Sequence, residues 1–318
     1  MADILYFVVP CYNEEEVLPE TSRRLLEKLH ELIGRGDVSD KSRILFVDDG
    51  SKDKTWQIIS DLHAKDNHFS GVKESRNRGH QNALLAGLFT AAKYADVTIS
   101  MDADLQDDIG AVDKMIEEYK KGFDVVYGVR SARKTDTFFK RATAEGFYKI
   151  MKAMGVDIVF NHADYRLMSR RAVEGLLQFK EVNLFLRGMV PMVGYPSSKV
   201  YYERAERFAG ESKYPLKKML AFAFEGITSF STKPLKFINV FALLFLLLGF
   251  AATVATGVLY GLGFVGSWTI LLSAMAFFTG VILLAVGIVG AYVGKNYLES
   301  KHRPSFIIEQ VINDGEEK

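Results

Sequence analysis

Ile99-Ser100-Met101-Asp102-Ala103-Asp104-Leu105-Gln106-Asp107-Asp108 is where an apolar run breaks off into four carboxylates and an amide. Val97 to Met101 reads as a short buried strand bounded by charge. In an open α/β sheet, ligands gather just beyond the carboxyl ends of the strands, which puts Asp102 and Asp104 on a ligand-binding edge. Two acids one residue apart can reach the same divalent ion, and Mg2+ or Mn2+ bridges carboxylate and phosphate oxygens in such places. The alternative is an acidic turn, with Asp107 or Asp108 capping a helix from Ile109 to Lys121. D-x-D by itself does not choose between them.

Outward from this stretch, strands and helices alternate, which predicts an α/β fold with a mostly parallel sheet and crossover helices. Ile4 to Val9 is the first strand, followed by Pro10-Cys11-Tyr12-Asn13-Glu14-Glu15-Glu16, where Asn13 is expected to cap a helix with an acidic first turn that runs to about Leu32. Arg43 to Val47 is the second strand and ends in Asp48-Asp49-Gly50-Ser51, another strand-end cluster of acids. Phe69 to Glu74 is a weaker strand, and His80 and Gln81 open an Ala/Leu-rich helix from about Asn82 to Tyr94. Asp124 to Val129 is a fifth strand that delivers Arg130 to the same edge. Phe138 to Met154 reads as a helix presenting Arg141, Asp164 lies among apolar residues, and Val200 to Glu203 is expected to be a last strand.

The net charge of +1 gives no reason to expect nucleic acid as a partner. That average hides an asymmetry, because no Asp, Glu, Lys or Arg occurs from Phe237 to Gly294. The stretch divides at a glycine-rich turn into 237–260 and 268–293, each long enough for a bilayer that needs about 20 apolar residues per helix. Lysines precede the first span, Lys295, Lys301 and Arg303 follow the second, and the turn is uncharged, so both ends are expected in the cytoplasm. Pro215 to Lys233 reads as an amphipathic helix lying on the membrane surface. The expected organisation is therefore a large domain over 1–214, an interfacial helix over 215–234, a transmembrane hairpin over 235–294 and a cytoplasmic tail over 295–318 whose last residues, Asp314 to Lys318, fray. Ile4 to Pro10 lacks the basic flank of a signal peptide, and the one cysteine, Cys11, excludes an intrachain disulfide.

Four strand-end stretches in one order carry more weight than any of them alone. Val9-Pro10-Cys11-Tyr12-Asn13-Glu14-Glu15, Val47-Asp48-Asp49-Gly50-Ser51, Asp102-Ala103-Asp104-Leu105-Gln106-Asp107 and Arg207-Phe208-Ala209-Gly210-Glu211-Ser212-Lys213-Tyr214 resemble the inverting family 2 glycosyltransferases with the Rossmann-like GT-A fold. Among these the chain is similar to the polyprenyl-phosphate enzymes: the dolichol-phosphate mannose synthase relatives and, closer, the bacterial bactoprenol glucosyltransferases with two C-terminal membrane helices. One departure is Ile109-Gly110, where those proteins carry proline.

The resemblance implies that Pro10, Tyr12 and Glu14 line a nucleoside pocket, with Asp48 and its neighbour Asp49 on the donor nucleotide. It implies Asp102 on ribose or metal, Asp104 on the metal at the donor diphosphate, and Gln106 facing the sugar. Arg130 and Arg141 would hold the lipid phosphate, and Arg207, Ser212 and Lys213 would close over phosphate groups. His80 would either bond the donor or only cap its helix. Asp164 would orient acceptor or sugar, or be a structural acid paired with Arg166 or Arg170. The implied activity is metal-dependent transfer of one hexose, glucose from UDP-glucose above other donor sugars, to undecaprenyl phosphate in the bacterial cytoplasmic membrane, for cell-envelope glycans such as lipopolysaccharide. Processive relatives carry Gln-x-x-Arg-Trp, which is absent here. Gly280, Gly287, Gly290 and Gly294 leave room for close helix packing, within one chain or in a homo-oligomer.

Overall fold

A computed structural model describes residues 2–131, 162–181, 185–203 and 268–317, with six isolated helical positions between 235 and 251. Two compact units result, one comprising Met1–Tyr148, Asp157–Pro215 and Arg303–Lys318 and the other Lys149–Val156 and Leu216–His302.

The first unit is built on strands β1 (Leu5–Cys11), β2 (Arg43–Asp48), β3 (Phe69–Glu74), β4 (Val97–Ser100), β5 (Val125–Arg130), β6 (His162–Ser169), β7 (Ser197–Tyr202) and β8 (Ile308–Ile312). Their order across one sheet is β7-β5-β6-β4-β1-β2-β3-β8. Every residue of β1 and β2 is buried, as continuous apolar strands covered on both faces should be. The pairs β4–β1, β1–β2, β2–β3 and β5–β7 are parallel. Strand order reverses at β1, which opens a crevice at the carboxyl ends of β1 and β4.

The helices are α1 (Leu18–Gly34), α2 (Thr55–Lys65), α3 (His80–Ala91), α4 (Ala111–Lys120), α5 (Arg170–Leu177), α6 (Leu186–Met192) and α7 (Trp268–Ser300). In α1, Leu18, Leu25, Leu29 and Leu32 recur at helical spacing and pack into the core, while Arg23, Arg24 and Glu27 face water. Buried Lys28 reaches Asp113 of α4 at 2.6 Å, tying the two helices together. Helix α3 is apolar nearly all round and rides so close on the sheet that a Cβ on Gly87 would lie 2.5 Å from Val8 and 2.7 Å from Val47.

Three expectations from the sequence change. First, Asn13 does not cap α1, which starts at Leu18 behind Val17 and carries Pro19 in its first turn. Asn13 instead takes a left-handed backbone (φ 54°) and accepts a hydrogen bond from the Lys52 amide. Second, the mostly parallel sheet holds, but the stretch around Asp164, not read as a strand, forms β6, antiparallel between β4 and β5. Third, the tail does not fray. Strand β8 pairs antiparallel with β3, the Asn313 amide oxygen accepts from the Ser70 hydroxyl, and Glu316 pairs with Lys41 at 2.9 Å. The polar composition that suggested fraying supplies these edge contacts.

Of the two expected spans, 268–293 falls within α7, which continues to Ser300. Within it Val281–Ser300 is long and apolar enough to cross a membrane, and it is the one such helix among the described residues. The first expected span, 237–260, the interfacial helix over 215–234 and the helix over 138–154 lie outside the described residues apart from isolated positions. Among the described residues, nothing lies within 4 Å of a Cβ built on Gly287, Gly290 or Gly294.

The close seat of α3 is testable. Gly87→Val should lower stability by about 1–3 kcal/mol through overpacking against Val8 and Val47, read as a drop in Tm with secondary structure retained.

Candidate active site

Because β4 and β5 run the same way, Asp102, Arg130 and the carboxyl ends of β1, β2 and β3 share one edge of the sheet. Antiparallel β6 brings its early residues there too, and Asp164 sits just beyond the Ser100–Arg166 pair.

On the β1 and β2 side, two loops are laced together by side chains that accept backbone amides. Glu14 N–H donates to the Thr55 hydroxyl, Glu15 N–H to Asp53, and Lys54 N–H to Glu15. A cavity of about 490 Å³ lies against Asn13, Glu14, Glu15, Lys52 and Asp53. Pro10 is buried at the end of β1, and Tyr12 is exposed beside it. Asp48 is fully buried, accepts from the Ser51 amide, and leaves its second oxygen without a partner. Burial raises its pKa. Asp49 accepts from the amides of Arg78 at 2.5 Å and Gly79 at 2.9 Å, so it holds the loop that leads into α3. Gly50 permits this interlock, since it has φ +61° and a Cβ there would meet the Arg76 and Asn77 backbone at 2.5 Å.

His80 begins α3 and stands between two acids, with Nε2 3.5 Å from Asp102 and 3.7 Å from Asp164. Desolvation works to lower its pKa, but the two carboxylates prevail and raise it. Asp102 is pushed up to about 6 by burial, with Asp107, Asp164 and Asp104 adding to the shift and His80 opposing it. Asp104 accepts from the Gln106 amide, Gln106 is buried, and Leu105 between them has a left-handed φ of 56°. Leu105 and Asn13 are two of three non-glycine residues described with positive φ, and both lie on this edge.

Asp164 is buried and held by Arg166 at 2.5 Å and Arg187 at 3.3 Å. Together with His80 these cations keep its carboxyl well below the usual range despite burial. Arg170 turns instead to the Ala92 carbonyl, so of the two pairings expected for Asp164 only Arg166 forms. Arg130 lies 3.2 Å from the Tyr202 hydroxyl and 3.3 Å from Asp107, and the Tyr202 hydroxyl donates to Asp107 at 2.5 Å. This corrects the capping role for Asp107, which is buried against β5 and β7. Asp108 accepts from the Gly110 amide at the entry to α4. Cys11 is buried, with its thiol donating to the Val9 carbonyl.

Arg141, Arg207, Ser212 and Lys213 lie outside the described residues. The remaining expected site residues, Pro10, Tyr12, Glu14, Asp48, Asp49, His80, Asp102, Asp104, Gln106, Arg130 and Asp164, all belong to this edge. Sequence reasoning missed Arg187, although a lone arginine inside Phe185-Leu186-Arg187-Gly188-Met189 was a visible signal. It also missed Glu74, whose carboxyl ends β3 with neither oxygen hydrogen-bonded.

Asp102 and Asp104 suit a divalent cation. They offer hard oxygen donors one residue apart, and the carboxylates of Asp107 and Asp164 add negative charge around Asp102 that a dication would offset.

Comparison with known proteins agrees in one direction. The family model "Glycosyl transferase family 2" matches residues 6–177. An uncharacterized glycosyltransferase of Bacillus subtilis, YkoT, is 48% identical over 96% of this chain and 91% of its own length. A bactoprenol glucosyl transferase of Shigella phage SfV is 40% identical over 95% of this chain and 97% of its own. A prophage bactoprenol glucosyl transferase homolog of Escherichia coli is 39% identical over 96% and 98%.

Glu74 generates a pH prediction. Burial, with Asp49 beside it, pushes its pKa from 4.5 up to about 8. Between those values the unfolded chain loses a proton that the native chain keeps, so stability falls as pH rises through the window and levels off above it. Glu74→Gln should remove that slope, gaining on the order of 2–4 kcal/mol over the parent at about pH 8.5 relative to about pH 5. Paired denaturation curves at the two pH values check this.

Proposed function

The chain belongs to glycosyl transferase family 2, and from that premise we propose that it transfers a single hexose, glucose from UDP-glucose, to undecaprenyl phosphate with inversion at the anomeric carbon. The observation that carries this reading is the crowded edge where Asp102 and Asp104 stand beside a His80–Asp164–Arg187 cluster. Family membership, the GT-A type α/β sheet and the bactoprenol glucosyl transferase relatives support glycosyl transfer to a polyprenyl phosphate. Donor, inversion and metal dependence are our reading of the site.

A divalent cation, Mg2+ or Mn2+, held by Asp102 and Asp104 would supply positive charge to the departing diphosphate. The loops at the ends of β1 and β2 bind the nucleoside, with Asp48 on the base side and Asp49 holding the 76–79 loop in place. Gln106, fixed by the Asp104 turn, faces the sugar. A phosphate oxygen of the acceptor attacks C1 from the side opposite the diphosphate, and the new C1–O bond forms as the bond to the diphosphate breaks. No proton has to move, because a phosphomonoester with a second pKa near 6 is already largely a dianion at neutral pH.

Asp164 therefore acts as an orienting charge. Two arginines and His80 hold it ionised, which makes it a weak base and a firm anchor for the cations around it. Arg130, fixed by Tyr202 and Asp107, stays charged and offers a guanidinium to the acceptor phosphate. Arg141, Arg207, Ser212 and Lys213 join it in this proposal. The apolar helix ending at Ser300 supports a membrane location, where a phosphate on a long lipid must be met. We place that membrane at the bacterial cytoplasmic face, with both termini inside.

The test is a transfer assay on full-length protein in detergent, with undecaprenyl phosphate, Mg2+ and radiolabelled UDP- and GDP-sugars. Label from UDP-glucose should enter the organic phase and be lost with EDTA. Asp104→Asn should lower kcat roughly 10²–10³-fold, the scale on which electrostatic groups at a reacting centre act. Lipid-soluble label from a different sugar alone would overturn the donor assignment. Full turnover by a folded Asp104→Asn variant would overturn the metal assignment.

A further inference from the structure

At the opposite edge of the sheet, three side chains from separate elements converge: His30 from the second half of α1, Asp66 at the end of α2, and His68 just before β3. One ligand atom from each lies within 4.8 Å of the others, and the two imidazoles meet edge to face with centroids 5.2 Å apart. Two of the three are held in place. The His68 amide donates to Asp66 at 2.9 Å, its Nδ1 lies 2.8 Å from the same carboxylate oxygen, and its carbonyl accepts from the Ile44 amide at 2.7 Å. His30, exposed on its helix, meets the His68 ring edge to face and makes no hydrogen bond or ion pair among the described residues.

We propose that His30, Asp66 and His68 form a second metal site, selective for Zn2+ and related borderline ions, which braces α1 against the α2–β3 turn. Two imidazoles and one carboxylate suit Zn2+, Co2+, Ni2+ or Cu2+, whereas Mg2+ and Mn2+ prefer the oxygen donors at Asp102 and Asp104. The two sites are separate, because β3 spans six residues between its two ends, roughly 17–20 Å at strand rise. They are nevertheless linked through α1, whose Thr21 hydroxyl donates at 2.7 Å to the Ala103 carbonyl, between Asp102 and Asp104. A metal at His30 fixes the far half of the helix that supports the D-x-D turn.

The experiment is calorimetric titration of ZnCl2 into full-length, EDTA-stripped protein in detergent with saturating Mg2+, alongside Tm with and without Zn2+. The parent should bind one Zn2+ and gain in Tm. His30→Ala and His68→Ala should each weaken binding by at least roughly tenfold and abolish the Tm gain, while Asp66→Asn, which also removes the orienting contact, should weaken it roughly 10–100-fold. Transfer activity in Mg2+ without Zn2+ should be unchanged in His30→Ala, which separates this site from the catalytic edge. Absence of Zn2+ binding by the parent, or binding that survives either histidine variant, would overturn the proposal. If His68→Ala fails to fold, the exposed His30→Ala and Asp66→Asn variants decide it by the same criteria.

Discussion

Too many carboxylates converge on one sheet edge, and most of the local architecture answers that repulsion. Asp48, Asp49, Glu74 and Asp164 are buried where strands end or begin, and half-buried Asp102 stands beside them. Each is accommodated differently. Asp49 receives two backbone amides, Glu74 keeps its proton, and Asp164 is surrounded by Arg166, Arg187 and His80. Asp102 is opposed by Asp107, Asp164 and Asp104 and offset in part by His80.

Much of this was legible in the chain itself. Apolar runs ending in acids marked β1, β2 and β4, since a strand buried on both faces must be continuous in sequence and must stop where charge begins. His80 was open between a donor contact and a helix cap, and the structure puts it between Asp102 and Asp164. Local patterns could not reveal the antiparallel entry of β6, because His162–Ser169 alternates too many polar residues to look like a central strand. Their burial depends on partners elsewhere, as when Ser169 meets Asp124. Asp107 was misread for a similar reason: its partners Arg130 and Tyr202 lie 23 and 95 positions away.

Local rules also failed where the backbone is unusual. Asn13 has the composition of a helix cap but takes the left-handed conformation of a loop residue, and its side chain serves the neighbouring Lys52 amide. Leu105 is a large aliphatic residue in a region of φ that such residues avoid, held there just after the D-x-D pair by the Gln106 amide's bond back to Asp104. Departures from local preference concentrate at binding edges because the surrounding contacts over-determine them.

Strand β8 carries a consequence for how the protein is made. It closes the free edge of β3, and the Ile307 carbonyl accepts from Ser75, at the root of the loop whose amides hold Asp49. These residues leave the ribosome after the whole of α7. The catalytic sheet is therefore finished last, by a segment translated after the apolar helix, and a nascent chain interrupted within that helix would carry every acid of the edge on an incomplete scaffold.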